Sequence, residues 1–253
     1  SKLGLEYVTT GGSTGTPLGF YQERVVSSAK EWAFMITQWN RVRFKMGDKR
    51  VILRGNVIQS ANKGKFWEYN PIDKTLILSS YHMTEEILPK YIKKIKDFQP
   101  DFIHVYPSTI IILARFMEEN NIKPFSSVKA LLCGSENLYS WQRDLLERVF
   151  QCRVFSWYGH SEMAVLAGEC EKSTNYHIFP EYGFVELIGK NGNLISREEE
   201  TGKIVATGFN NNAMPIIRYK TGDLGVYTEK KCPCGTNYPL LKRIEGRLQE
   251  IVV

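Results

Sequence analysis

The chain has 253 residues, 43% of them hydrophobic and 12% aromatic, enough to bury a large core as one big domain or two smaller ones. A net charge of +6 favours an acidic small molecule such as a nucleotide as partner, while the scattered placement of the positive residues, with no basic cluster interleaved with aromatics, speaks against nucleic acid. No apolar run approaches the ~20 residues that cross a bilayer, so no membrane association is expected.

Ser1-Lys2-Leu3-Gly4 is not the start of a signal peptide, so a cytoplasmic location is expected, and a start so close to the first motif reads as an incomplete N-terminus. That motif is Tyr7 to Gly19, a loop with four glycines and the hydroxyls of Thr10, Ser13, Thr14 and Thr16. Glycines let backbone N–H groups turn inward, and the hydroxyls add neutral donors for phosphate oxygens. It is not a Walker A loop, because Gly15 is followed by Thr16-Pro17 with no lysine. A flexible glycine-serine connector is the competing reading.

After the loop, the spacing of Val26, Trp32, Phe34, Met35, Ile36 and Trp39 predicts an amphipathic helix over 23–44. Arg50 to Leu53 reads as a strand, 55–71 as a polar loop and Leu76 to Leu78 as a strand. An α/β alternation follows: helix 85–97, strand 102–105, helix 109–119, strand 128–133, helix 140–150 and strand 153–157. The basic stretch Lys90 to Lys96 reads as the solvated face of its helix. Alternation of this kind implies parallel strands with crossover helices.

The polar turns Tyr106-Pro107-Ser108, Gly134-Ser135-Glu136-Asn137 and Tyr158-Gly159-His160-Ser161-Glu162 each follow one of these strands. Ligands in open parallel sheets bind beyond the carboxyl ends of the strands, so the three turns are expected to face one crevice. From Gly183 the period changes to strands at 184–188, 203–207 and 215–219, with hairpin signals at Asn191-Gly192 and Thr201-Gly202. The expected organisation is an α/β nucleotide-binding part over 1–182, an antiparallel β-rich part over 183–245, and 246–253 as the start of a hinge.

The loop at 9–19, Tyr158-Gly159-His160-Ser161-Glu162, Arg218-Tyr219-Lys220-Thr221-Gly222-Asp223 and Gly246-Arg247 resemble, in order and spacing, the core motifs of adenylate-forming enzymes. Tyr106-Pro107-Ser108, Gly134-Ser135-Glu136, Glu169-Cys170 with His177, and Cys232-Pro233-Cys234-Gly235 resemble the phenylacetate–coenzyme A ligase-like branch with its capsular-polysaccharide-biosynthesis relatives. The resemblance implies an α/β fold whose parallel-rich sheet with crossover helices precedes an antiparallel part. It implies an AMP-forming carboxylate ligase that joins a small carboxylic acid to the α-phosphate of ATP, releases pyrophosphate, and passes the acyl group to a nucleophile such as the thiol of coenzyme A.

On that resemblance Glu162 would hold Mg²⁺ against the phosphates, Ser161 would donate to the α-phosphate, and Tyr158 with Gly159 would lie against the adenine. Asp223 would accept from the ribose hydroxyls and Arg247 would contact ribose or phosphate. Thr10, Gly12, Ser13, Thr14, Gly15 and Thr16 would cradle phosphate, with Thr14 taking part in catalysis, and Gly134, Ser135 and Glu136 would complete the nucleotide site. The plainer alternatives are an acid at a helix N-terminus for Glu162, a turn aspartate for Asp223 and a surface arginine for Arg247.

Tyr106, Cys133, Trp157 and Tyr158 are candidate pocket walls, an aromatic lining that suits a flat acid. The pattern departs from the family at Gly11, where many members carry serine, at the lysine-free positions Thr16 and Leu18, and at Gln249, where an acidic hinge residue is expected. On that resemblance, the family's small C-terminal domain is expected to lie outside this chain.

Five cysteines are an odd number for a large domain, which favours reduced thiols or metal ligands over a disulfide framework. The resemblance adds that Cys170, His177, Cys232 and Cys234 would form a structural zinc site, three thiolates and one imidazole, with Cys133 and Cys152 outside it. Four unligated residues are the alternative. Two other classes compete with the enzyme: a catalytically inactive nucleotide-binding homologue or scaffold, supported by the lysine-free loop, and a zinc-ribbon-type interaction module, resting only on Cys232-Pro233-Cys234-Gly235.

Overall fold

A computed structural model describes residues 4–10 and 17–247. In chain order the elements are β1 (Leu5–Thr9), β2 (Gly19–Glu23), α1 (Val26–Trp39), β3 (Arg50–Leu53), β4 (Trp67–Asn70), β5 (Thr75–Leu78), α2 (Leu88–Phe98), β6 (Phe102–Val105), α3 (Pro107–Glu119), β7 (Ala130–Cys133), α4 (Ser140–Phe150), β8 (Arg153–Gly159), β9 (Leu166–Gly168), β10 (Tyr176–Ile178), β11 (Gly183–Ile188), β12 (Thr201–Gly208), β13 (Tyr219–Tyr227) and β14 (Leu240–Arg247). The chain divides into two compact units, residues 42–156 and residues 1–41 with 157–253.

In the unit of residues 42–156 the strand order is β4, β5, β3, β6, β7 and the first half of β8. β5, β3, β6, β7 and β8 run parallel, Arg50 lying opposite both Thr75 and Phe102, and Ala130 opposite both Phe102 and Arg153. Parallel neighbours need crossover connections, which α2, α3 and α4 supply. Every residue of β6 and β7 is buried, the pattern of strands covered on both faces. Their side chains Ile103, Val105, Leu131 and Cys133 join Tyr91, Ile95, Ile110, Leu146 and Phe150 of the helices in one core.

Each helix begins and ends for a local reason. Pro107 stands at the first position of α3, where a missing N–H costs nothing, and α4 starts on a reciprocal cap in which Gln142 Oε1 accepts from Tyr139 N at 3.0 Å. Gln99 and Gln151, both with φ 51°, end α2 and α4 in the left-handed region. The polar loop expected over 55–71 contains an edge strand, β4, antiparallel to β5.

In the other unit β11, β12, β13, β14, β10 and β9 run antiparallel to one another and to Trp157–Gly159 of β8. Antiparallel pairing therefore begins at β9, upstream of the change expected at 183. α1 starts at Val26 rather than 23, because Val25 turns through φ 67°, and its Phe34 meets the rings of Phe179 and Tyr182 edge-on.

Two expected elements are corrected. Thr201-Gly202 lies inside β12 instead of forming a turn, whereas Asn191-Gly192 does turn, with Gly192 at φ 82°. The strand expected over 215–219 is irregular until β13 begins at Tyr219, since Pro215 has no N–H for a ladder and Arg218 sits at φ 48°.

Candidate nucleotide and metal sites

β13 places Tyr219, Thr221 and Asp223 at alternate positions, so they project to one face of the sheet. Asp223 pairs in register with Arg247 of β14, and the Arg247 Nε lies 3.7 Å from Asp223 Oδ1. At the end of β8, Tyr158 OH donates to Asp223 Oδ2 at 2.6 Å. Burial and the Asp223 carboxylate both push this phenol well above its ordinary range, so the hydroxyl stays protonated and remains a donor.

His160 Nε2 lies 3.1 Å from the Tyr158 oxygen, whose one proton is directed to Asp223, so the imidazole is the donor in this contact. Burial lowers His160 from its usual pKa against the opposing pull of Glu162 and Asp223, which favours the neutral ring, and the contact with Tyr158 places its proton on Nε2. Glu162 is 6% exposed, and its Oε1 accepts from Tyr219 OH at 2.6 Å. Two buried carboxylates are thus each oriented by one phenol. A carboxylate offers about four acceptor positions, so each keeps acceptor capacity for a ligand.

Other expected site residues fall in different places. Thr10 closes the base of the first loop, exchanging two bonds of 3.0 Å with Leu18, and Gly12, Ser13, Thr14, Gly15 and Thr16 lie outside the described residues. Ser161 is exposed beside Glu162. Gly159 is the last residue of β8, where an added Cβ would meet Leu166 at 3.2 Å. In the unit of residues 42–156, Gly134 follows β7, Ser135 Oγ accepts from Arg54, and Glu136 takes the N–H and hydroxyl of Ser108, each at 2.8 Å, at the start of α3. Cys133 is corrected as a pocket wall, being fully buried in that unit's core.

Cys170, His177, Cys232 and Cys234 come together, their ligand atoms all within 4.8 Å of one another. Cys170 Sγ is 3.5 Å from Cys232 Sγ, and Cys234 Sγ is 3.3 Å from His177 Nε2. Cys170 lies in the connection between β9 and β10, His177 lies on β10, and the loop between β13 and β14 presents Cys232 and Cys234. Burial raises the Cys170 thiol to about 12. At Cys234 burial also opposes ionisation, but hydrogen bonds involving Thr236, Cys232 and His177 outweigh it and bring the thiol down to about 6. Three sulfurs and an imidazole fit zinc, whose donors at about 2.3 Å from one ion stand about 3.8 Å apart in a tetrahedron. Cys133 and Cys152 are not in this cluster.

Sequence reasoning gave no role to Tyr219, Thr221 or His160. The available signal was the alternation itself: Tyr219, Thr221 and Asp223, and again Tyr158 and His160, stand two apart on strands or at their ends.

Among curated proteins, the chain is 33% identical over 244 residues to the protein CapK of Staphylococcus aureus, a match covering 94% of the chain and 52% of CapK. It is 26% identical over 250 residues to the phenylacetate–coenzyme A ligase of Escherichia coli K12, covering 96% of the chain and 55% of that enzyme. The resemblance read from the motifs thus extends over nearly the whole chain, which is similar both to CapK and to phenylacetate–coenzyme A ligases. The chain spans about half the length of these relatives.

The adenylate-forming fold is shared with 2-hydroxyisobutyryl-CoA ligase solved in the postadenylation state with its acyl-AMP, at TM-score 0.76 and 18% identity over 98% of the chain and 52% of the ligase. The same ligase solved with 2-HIB-AMP and CoA in the thioesterification state matches at TM-score 0.72 and 20% identity, over 98% of the chain and 53% of the ligase. Identity at this level carries the fold alone. No protein-family model matches the chain. Among the described residues no helix is long and apolar enough to cross a membrane.

Proposed function

We propose that the chain binds ATP and takes part in activating a carboxylic acid to an acyl-AMP, with transfer of the acyl group to the thiol of coenzyme A. In the first step a carboxylate oxygen bonds to the α-phosphorus and pyrophosphate leaves. In the second the thiolate attacks the acyl carbon and AMP leaves. The observation that carries this reading is the pair of phenol-oriented carboxylates, Asp223 with Tyr158 and Glu162 with Tyr219, on motifs in the family's order.

In this reading Asp223 and Arg247 hold the ribose, Tyr158 and Gly159 border the adenine, and Ser161 and the loop residues Thr10 to Thr16 donate to phosphate. Glu162, a hard oxygen donor, would hold Mg²⁺, which supplies charge neutralisation for phosphoryl chemistry. Cys170, His177, Cys232 and Cys234 would hold a structural zinc with no position left for chemistry.

Calorimetry of ATP binding tests the nucleotide site. Asp223→Ala removes a charge-assisted acceptor, so affinity should fall by ~1.5–3 kcal/mol; unchanged affinity would sink the ribose assignment.

A further inference from the structure

Arg54 and His104, to which neither proposed site assigns a role, form a polar cluster with Ser135 and Tyr106 at the carboxyl ends of β3, β6 and β7 in the unit of residues 42–156. Arg54 directly follows β3. Its Nη1 donates to His104 Nε2 at 2.6 Å, its Nη2 donates to Ser135 Oγ, and its guanidinium lies 4.9 Å from the centre of the Tyr106 ring. A guanidinium N–H only donates, so His104 Nε2 accepts and the imidazole is the neutral Nδ1–H tautomer. Its environment agrees: burial first, then Arg54 and Arg50, hold His104 well below its usual pKa.

The backbone is shaped around the same spot. Gly55 at φ 70° gives its N–H to Ser80 Oγ at 2.9 Å, and a Cβ there would press on Tyr106 at 3.4 Å. Ser135 holds φ 65°, an uncommon conformation for a residue with a side chain, and it is the residue whose hydroxyl meets Arg54. Glu136, next in the chain, turns both oxygens to Ser108.

A guanidinium stacked on a ring and hydrogen-bonded to an imidazole and a hydroxyl, with the Glu136 carboxylate nearby, is a forked donor held ready for an oxyanion. It stands at the edge of a parallel sheet where ligands bind. Burial lowers the pKa of Arg54 against the opposing pull of Tyr106, Cys133 and Glu136, and a bound anion would stabilise its charged form further. We propose that Arg54, positioned by His104, Ser135 and Tyr106, receives an anionic oxygen group, carboxylate or phosphate, of the ligand taken up by this unit. Taken with the function proposed above, on which only the identity of that ligand rests, the group belongs to a second acidic function on the carboxylic acid or to a phosphate of coenzyme A.

Calorimetry with two sets of probes decides this. One set is the dicarboxylates from malonate to adipate, each against the monocarboxylate of equal length, and the other is coenzyme A against dephospho-coenzyme A. Wild type should bind the more anionic member of at least one set about tenfold more tightly. The set that shows the preference names the source of the group. Arg54→Met should abolish the preference, and Arg54→Lys should keep part of it, with circular dichroism confirming that both variants are folded. Equal binding within both sets by wild type, or a preference that survives Arg54→Met, overturns the proposal. ATP serves as the separate control: if ATP fails to bind while the preference depends on Arg54, the nucleotide reading falls and the anion site stands.

Discussion

The two units orient charge by the same means and with opposite sign. In residues 42–156 a cation, Arg54, is held by an imidazole, a hydroxyl and an aromatic ring at the edge of parallel strands. In the other unit two anions, Glu162 and Asp223, are held by phenol hydroxyls on antiparallel strands. Neutral hydrogen-bonding partners fix the direction of each charged group, and the opposite charges nearby, Arg247 beside Asp223 and Glu136 near Arg54, offset it only in part. The units differ in what sets the geometry. In the parallel unit it is the turns after the strands, and in the antiparallel unit it is the alternation and register of β13 against β14, which set Asp223 opposite Arg247.

The largest expected effect separates the units by stability. If a zinc ion joins the β9–β10 pair to the loop before β14, only the antiparallel unit depends on it. Elemental analysis should find one zinc per chain. The double change Cys232→Ser, Cys234→Ser should remove it and lower the melting temperature of that unit by on the order of 10 °C, the equivalent of several kcal/mol. The parallel unit, whose core contains none of the four residues, should melt where it did. No zinc, or an unchanged melting profile, would leave the segment held by packing alone.

Next in size is the loss of one orienting phenol. Tyr219→Phe keeps the ring but leaves Glu162 Oε1 buried without that donor, at a cost of about 1–3 kcal/mol in stability measured by urea unfolding. Any magnesium-dependent step should weaken along with it. Arg54→Met leaves the Glu162 site's own partners intact, so a variant pair that behaved identically in magnesium titrations would break the contrast between the units.

Much of this organisation is legible in the sequence, for different reasons in the two units. In the parallel unit the runs Phe102 to Val105 and Ala130 to Cys133 are apolar because both faces are covered, and Pro107 marks a helix start by backbone preference, whereas Gln99 and Gln151 end helices in a left-handed conformation that glutamine does not favour. The antiparallel unit is harder to read. Its strands alternate, but the strand expected over 215–219 stays irregular until Tyr219, since pairing is set by a neighbour distant in sequence. The four zinc-candidate ligands were legible only through resemblance, because about sixty residues separate Cys170 from Cys232. Arg54 and His104 lie fifty positions apart, and no local pattern joins them.

The acid response of the parallel unit sharpens the comparison. His104 is neutral in the folded chain, its pKa depressed by burial and by Arg54 and Arg50, while in the unfolded chain it titrates near 6.5. Its contribution is therefore fully present above about pH 6.5 and is lost as pH falls below that toward the folded value, with a slope of at most about 1.4 kcal/mol per pH unit. His104→Gln should flatten the stability of this unit between about pH 6.5 and 5, where wild type declines. A decline of equal slope in the variant would assign it to other groups.

The smallest effect is expected on the solvated face of α2. Lys93 Nζ lies 2.7 Å from Asp97 Oδ2, one helical turn on, with side-chain exposures of 78% and 58%. Water screens both charges, and the basic residue precedes the acidic one, the weaker orientation against the helix dipole. A double-mutant cycle with Lys93→Ala and Asp97→Ala should return a coupling below about 0.5 kcal/mol, shrinking further in high salt. On the opposite face Tyr91 is fully buried and donates its hydroxyl to the Ser79 carbonyl at 2.7 Å, so Tyr91→Ala should cost about 3–5 kcal/mol. A coupling between Lys93 and Asp97 comparable to the Tyr91 cost would mean that this face is packed against something in solution, and the reading of Lys90 to Lys96 as a plain solvated helix surface would fail.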